Sequence, residues 1–275
     1  MGGKILYVLR GVRCVLRTVR CVLRSVRYVM RALADLFFPR SCIVCGDSLR
    51  LHEKHICTCC LAEMPYTYFW KYSGNPVEAV FIGRSYIETG CSLFYYTDSY
   101  RMMVHQLKYN SNVEIGLWLG QMLGGKIGEM LGGKSGEKLS GHLENENVPI
   151  DYIVPVPLHW RKQWKRGYNQ SEVIAKGIAA GLAAGGAKVP QVLPNLLQRA
   201  SFTSTQTAKD RLERWHNVAR AFAFNGNCRI LPTAGSHILL VDDVLTTGAT
   251  LEACASILVE QLGCKVCIAT LAYVE

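Results

Sequence analysis

Two groups of residues in this chain have the types and spacing that do chemistry. The first is Cys42-Ile-Val-Cys45 followed by Cys57-Thr-Cys59-Cys60. Taking Cys57 with Cys60 gives two C-x2-C knuckles separated by eleven residues. Each knuckle lets two thiolates reach one tetrahedral ion, and two knuckles complete a four-sulfur shell, the arrangement of structural zinc. Cys59 is an alternative to Cys57 or Cys60, and His52 and His55 on the intervening turn are alternative ligands. A reduced cysteine-rich loop without metal is the competing reading. A closed four-thiolate shell leaves no open position, so it implies a structural role.

The second group is "ILLVDDVLTTGAT", residues 238–250. An apolar run ends in Asp242 and Asp243, and a Thr-Thr-Gly turn then leads into a helical pattern. Burying one carboxylate is costly and two adjacent ones repel. The arrangement makes sense at the carboxyl end of a parallel strand, where the acids leave the core and face a crevice. Thr246, Thr247, Gly248, Ala249 and Thr250 then supply backbone N–H groups and hydroxyls at a helix start, which is a cradle for an anion. Carboxylates beside a phosphate cradle suit a sugar phosphate: the acids accept from vicinal hydroxyls while the loop holds the phosphate.

The elements that must position these residues are an alternation of strands and helices. Residues 151–158 read as a strand, 169–184 as a helix with Asn169 near its start, 236–244 as a strand, 250–263 as a helix and 265–274 as a strand. This order implies parallel pairing and an α/β sheet. Arg161, Lys162, Lys165 and Arg166 cluster after the strand at 151–158, and Gly167 allows close backbone approach. A solvated basic loop is the bland reading of that cluster. Trp160, Trp164 and Tyr168 interleave with the same cations, a pattern that also suits stacking on single-stranded nucleic acid. Residues 71–79 read as a linker. The repeat "MLGGKIGE", "MLGGKSGE" at 122–137 reads as a frayed helix end leading to a surface loop.

The chain has 275 residues, 49% of them hydrophobic, so it can bury a sizeable core. Its net charge of +10 is local: residues 1–34 hold Lys4 and seven arginines and no acid, leaving about +2 for the rest. Overall basicity therefore does not argue for nucleic acid. Residues 8–31 repeat with period seven, setting a valine stripe beside an arginine stripe on a helix. An anionic membrane surface, a nucleic-acid backbone or a partner helix would suit it, and a tandem duplication or an overlong start is the plain alternative. Cys14, Cys21, Cys59, Cys91, Cys228, Cys254, Cys264 and Cys267 have no evident partner spacing, no secretory signal is visible, and no stretch is apolar enough to span a bilayer. A reducing, cytoplasmic setting is expected.

"LLVDDVLTTGAT" resembles the phosphoribosyl pyrophosphate (PRPP) signature of type I phosphoribosyltransferases. Together with the knuckles, "HQLKYN" (105–110), "VPVPLHWRKQWKRGYNQSEVIA" (154–175) and "LLQRASFTSTQTAKDRLERWHNV" (196–218), it resembles the ComF family over about residues 38–275. The resemblance implies a type I phosphoribosyltransferase-like parallel sheet flanked by helices (73–275), a small zinc-binding segment (37–72) and an extra basic helix (1–36). It implies that Asp242 and Asp243 bind ribose hydroxyls, that 246–250 holds the 5′-phosphate, and that Arg161, Lys162, Lys165, Arg166 and Gly167 form the pyrophosphate loop. Residues 199–217 would be a mobile flap, with Arg199, Thr205, Gln206, Lys209 and Arg211 as candidates. Lys108 is a weaker candidate, and His105 and His159 are read as structural. Many members carry a second pair of knuckles; here only Cys91 lies downstream, so one metal site is expected. Phosphoribosyl transfer from PRPP with magnesium, to an acceptor the residues do not define, is the main functional expectation. A non-catalytic role, in handling single-stranded DNA during natural transformation or in sensing PRPP, is the alternative.

Overall fold

The computed structural model describes residues 39–84, 86–109, 112–132, 150–186, 188–199 and 221–275. The arginine repeat and four flap candidates, Thr205, Gln206, Lys209 and Arg211, lie outside the described residues. The chain divides into two compact units, Met1–Glu63 and Met64–Glu275.

In the first unit both knuckles are held by local hydrogen bonds. Ser41 and Ser48 form an antiparallel bridge, and Gly46 takes a left-handed conformation (φ 81°). A single helical turn, α1 (Thr58–Ala62), starts at Cys57, whose sulfur accepts from the Cys60 N–H. Glu53 ties the turn together by accepting from Arg50 N (2.6 Å), Thr58 N (2.7 Å) and Thr58 Oγ1 (2.7 Å). Those donors hold its carboxyl at a pKa of about 2.

The second unit is built on a five-stranded parallel sheet. Its strands are β1 (Thr89–Tyr95), β2 (Tyr152–Pro155), β3 (Gln191–Val192), β6 (His237–Leu245) and β7 (Lys265–Tyr273), in the spatial order β1-β7-β6-β2-β3. β4 (Leu197–Arg199) and β5 (Phe222–Phe224) form a separate antiparallel pair. Val266 to Ala272 of β7 are all buried, as expected of a parallel strand covered on both faces. The segment expected to be a linker carries instead a 3-10 turn (Phe69–Lys71) and a short helix, α2 (Pro76–Ala79). Asn75 makes this possible: its Oδ1 caps α2 while its buried Nδ2 donates to the Gly90 carbonyl (2.9 Å). Helix α3 (Asp98–Tyr109) follows β1.

Helices α4 (Val113–Gly132) and α6 (Gln170–Ala184) pack backbone to backbone. A Cβ added to Gly120 would stand 2.9 Å from the Gly177 Cα, and closer still to the Ile174 carbonyl oxygen. Gly124 and Gly181 are similarly walled in by Ile178 and Gln121. The first copy of the glycine repeat is therefore no frayed end. It continues α4 and buries Gly124 and Ile127. Glycine spacings of four put small residues on one helix face, and the sequence pattern alone does not distinguish a mating face from a breaker.

The topology opens a crevice. From β2 the chain crosses by α6 outward to β3; from β6 it crosses by α7 (Ala249–Leu262) the other way, to β7. Right-handed crossovers in opposite directions place α6 and α7 on opposite faces. The loops leaving β2 and β6 therefore diverge, and ligands bind at such a switch point.

Candidate functional site

In the first unit the sulfurs of Cys42, Cys45, Cys57 and Cys60 all lie within 4.8 Å of one another. Cys45 and Cys57 stand 3.8 Å apart. Sulfurs bound at about 2.3 Å to a tetrahedral ion are separated by roughly that distance, so the donor set fits zinc. Cys59, His52 and His55 are not in the cluster. Cys59 is exposed, and the turn at α1 brings the sulfurs of Cys57 and Cys60, three residues apart, into one cluster. Glu53, which organises the turn, carried no motif that would have marked it.

In the second unit the aspartates are more deeply set than their position in the sequence suggests. β6 continues through them to Leu245, and Asp242 lies in register with Thr270 of β7. Asp242 Oδ1 accepts from Ser171 Oγ of α6 (2.9 Å) and from the Asp243 N–H (2.8 Å). Desolvation, with the neighbouring Asp243 charge adding to it, pushes the Asp242 carboxyl up to about 7. The burial cost is thus retained at Asp242. Asp243 is stabilised differently: Lys108 of α3 reaches its Oδ2 at 2.5 Å, and the buried Tyr100 hydroxyl donates to its carbonyl oxygen (2.9 Å). Lys108 is therefore a member of the site. Ser171 is a member that sequence reasoning missed, because its partner lies 71 residues away.

The loop after β6 has the form of an anion cradle. Thr246 and Thr247 are exposed, and Gly248 is buried at φ 76°. α7 begins at Ala249 with no side-chain cap on its first turn, which leaves those N–H groups for a ligand. A Cβ on Gly248 would meet Phe81 and Val80 at 2.7 and 2.8 Å, so only glycine fits. Arg84 fastens the same 80–84 segment to the start of α7 through Glu252 (2.9 Å).

After β2 the expected basic loop is a short helix, α5 (Trp160–Arg166), ended by Gly167 at φ 82°. His159 caps it, Nδ1 accepting from the Arg161 N–H (3.2 Å). Burial, then the charges of Arg199, Arg161 and Lys162, lower the His159 pKa and favour the neutral ring that this bond requires. Arg161, Lys162 and Lys165 are exposed, as are Trp160 and Trp164 at 63% and 87%. Arg199, the described flap candidate, stacks on Phe222 (5.2 Å) and is near enough for its charge to act on His159 and Cys254. The charge of Asp242 acts on the same Cys254 thiol, so Arg199 belongs to this neighbourhood.

Residues 203–275 match the phosphoribosyl transferase domain. The chain is 31% identical over 164 residues to the DNA utilization protein YhgH of Salmonella typhi, covering 59% of this chain and 62% of that one. It is 25% identical over 233 residues to Competence protein F of Haemophilus influenzae, covering 81% and 92%. By these matches the chain is similar to ComF-type, phosphoribosyltransferase-like proteins. Its alignment spans less than two thirds of the YhgH protein's length. The parallel sheet with flanking helices is a phosphoribosyltransferase-like fold, and the four-cysteine cluster can hold a metal such as zinc. Among the described residues no helix is long and apolar enough to cross a membrane.

Proposed function

We propose that the switch-point crevice binds PRPP and transfers its phosphoribosyl group to a nucleophilic acceptor with loss of pyrophosphate. The observation that carries this reading is the pair Asp242–Asp243 followed directly by an uncapped, glycine-dependent helix start. Asp242 and Asp243 would accept from the ribose hydroxyls, and Lys108 and Ser171 would hold the two carboxylates apart in fixed orientations. Thr246, Thr247, Gly248, Ala249 and Thr250 would bind the 5′-phosphate. Arg161, Lys162, Lys165 and Arg166, with the Gly167 turn, would bind the pyrophosphate and stabilise its charge as it departs. The bond from C1 to the pyrophosphate oxygen breaks, the bond from C1 to the acceptor forms, and the acceptor gives up a proton. Magnesium, which prefers carboxylate and phosphate oxygens, would enter with PRPP and neutralise part of the pyrophosphate charge. Arg199, with Thr205, Gln206, Lys209 and Arg211, would belong to the flap over the site.

Calorimetry with PRPP and magnesium tests this. The native protein should bind, and Asp242→Asn with Asp243→Asn should weaken binding by at least tenfold, about 1.4 kcal/mol, while the fold persists. Unchanged affinity in the double variant refutes the assignment. Pyrophosphate release across a panel of nitrogenous bases then asks for the acceptor.

A second reading, single-stranded DNA binding, has its own observation: Trp160 and Trp164 stand exposed among Arg161, Lys162 and Lys165. Exposed aromatics interleaved with cations suit stacked bases and a backbone. The relatives' names, DNA utilization protein and Competence protein F, accord with it. Binding of an oligonucleotide that weakens with salt and is reduced in Trp164→Ala supports it; salt-insensitive or absent binding removes it.

A further inference from the structure

Lys108 Nζ stands 2.5 Å from Asp243 Oδ2, and the two side chains are 25% and 18% exposed, so the ion pair borders solvent. The helix that carries the lysine is held in place from two sides. The hydroxyl of Tyr100, two turns earlier on α3, donates to the Asp243 carbonyl oxygen (2.9 Å). The Tyr168 hydroxyl, just after the Gly167 turn, donates to the Leu107 carbonyl oxygen. The packing of a helix, more than the reach of a flexible side chain, therefore brings the ammonium to Asp243. Asp242 is committed as well, because its Oδ1 accepts from Ser171 Oγ and from Asp243 N. A divalent cation arriving at this pair would find one oxygen of each carboxylate engaged and an ammonium already in place. Magnesium demands near-octahedral oxygen ligands and gives up its waters reluctantly. A fixed positive charge satisfies the carboxylate and repels a second cation. The two aspartates are thus a poor seat for a metal ion of their own.

We propose that Lys108 is the resident cation of the aspartate pair, so that the ribose 5-phosphate half of PRPP binds without a divalent metal and magnesium is needed only at the pyrophosphate. This rests on the PRPP reading given above. Lys108 offsets the Asp243 charge, which would otherwise repel an anionic sugar phosphate entering the cradle that begins three residues later, at Thr246. By occupying Oδ2 it also leaves Oδ1 of Asp243 to accept from a ribose hydroxyl.

Calorimetric titration with ribose 5-phosphate, once in EDTA and once in magnesium, tests this. The native protein should bind equally well in both. Lys108→Gln removes the charge and keeps a polar side chain. Its affinity in EDTA should fall about tenfold or more, the scale of one partner lost from a partly buried ion pair. Magnesium should restore much of that loss, because the vacated carboxylate oxygen can then take an ion. Lys108→Arg keeps the charge and should stay indifferent to magnesium. A lysine that only held the fold together would lower stability when replaced, without creating a dependence on metal. Native protein that needs magnesium to bind ribose 5-phosphate overturns the proposal. So does Lys108→Gln that binds as tightly as the native protein in EDTA, or that gains nothing from magnesium. Should Lys108→Gln fail to fold, the native and Lys108→Arg proteins decide the matter, and magnesium-dependent binding in either overturns the proposal. If the native protein binds PRPP with magnesium but not ribose 5-phosphate, the PRPP reading stands and this proposal falls. If it binds neither, the functional reading itself fails.

Discussion

Replacing Asp242 with asparagine should make the protein more stable above neutral pH and less able to bind its ligand. The carboxyl moves from an ordinary 3.8 to about 7 on folding, chiefly by desolvation and then by the charge of Asp243. That difference corresponds to about 4 kcal/mol of preference for the protonated form in the folded state. A raised carboxyl pKa means that the folded state holds a proton the unfolded state releases. The associated stability is fully present below about pH 4 and is lost as pH rises through about 7. Asparagine keeps the carbonyl oxygen that accepts from Ser171 Oγ and Asp243 N, and it has no charge to desolvate. The gap between Asp242→Asn and the native protein should thus be small at pH 4. It should widen by about 1.4 kcal/mol per pH unit and level off near about 4 kcal/mol above pH 7. All five tryptophans, Trp70, Trp118, Trp160, Trp164 and Trp215, lie in Met64–Glu275, so denaturant unfolding followed by tryptophan fluorescence reports on this unit. A gap that stays constant from pH 4.5 to 8 would refute the reasoning, and so would a variant that is less stable at pH 8. On the functional side, PRPP affinity of the native protein should rise with pH through about 7, because ribose hydroxyls donate best to the ionised acid. Keeping a costly carboxylate in place is the ordinary signature of a site selected for function over stability.

Purified protein should carry about one zinc per chain, and Cys45→Ser or Cys60→Ser should lower that content; native protein free of zinc with its first unit folded would count against the site. Glu53→Gln should weaken zinc retention, since the anion gathers three donors around the second knuckle; unchanged retention on chelator challenge would contradict that role. Gly120→Ala should lower stability by about 1–3 kcal/mol, because the new Cβ must push α4 and α6 apart. Gly125→Ala on the same helix meets nothing within 4 Å and should be neutral or stabilising by about 1 kcal/mol; similar effects at both positions would show that the helices do not pack as described.

Much of the site was legible in the sequence wherever its logic is local. The two knuckles bring four sulfurs together because each needs only a turn, with no help from distant chain. Asp242, Asp243 and the 246–250 turn could be read as strand end and helix start because an apolar run, a glycine and a helical period adjoin one another. Asn169 declared the start of α6 by its own capping chemistry. The tertiary structure decided what those residues cost and whom they touch. Asp242 is desolvated because β6 runs on past it beside β7 and α6 reaches it through Ser171. Lys108 becomes the counterion of Asp243 because α3 returns over the end of the sheet. Phe81 dictates glycine at 248, and the glycines of α4 form a mating face because α6 supplies glycines opposite them. Local pattern encodes the elements through hydrogen bonding and hydrophobic period. Strand order and helix pairing bring together residues far apart in the chain, and only there do burial, charge and fit acquire their values.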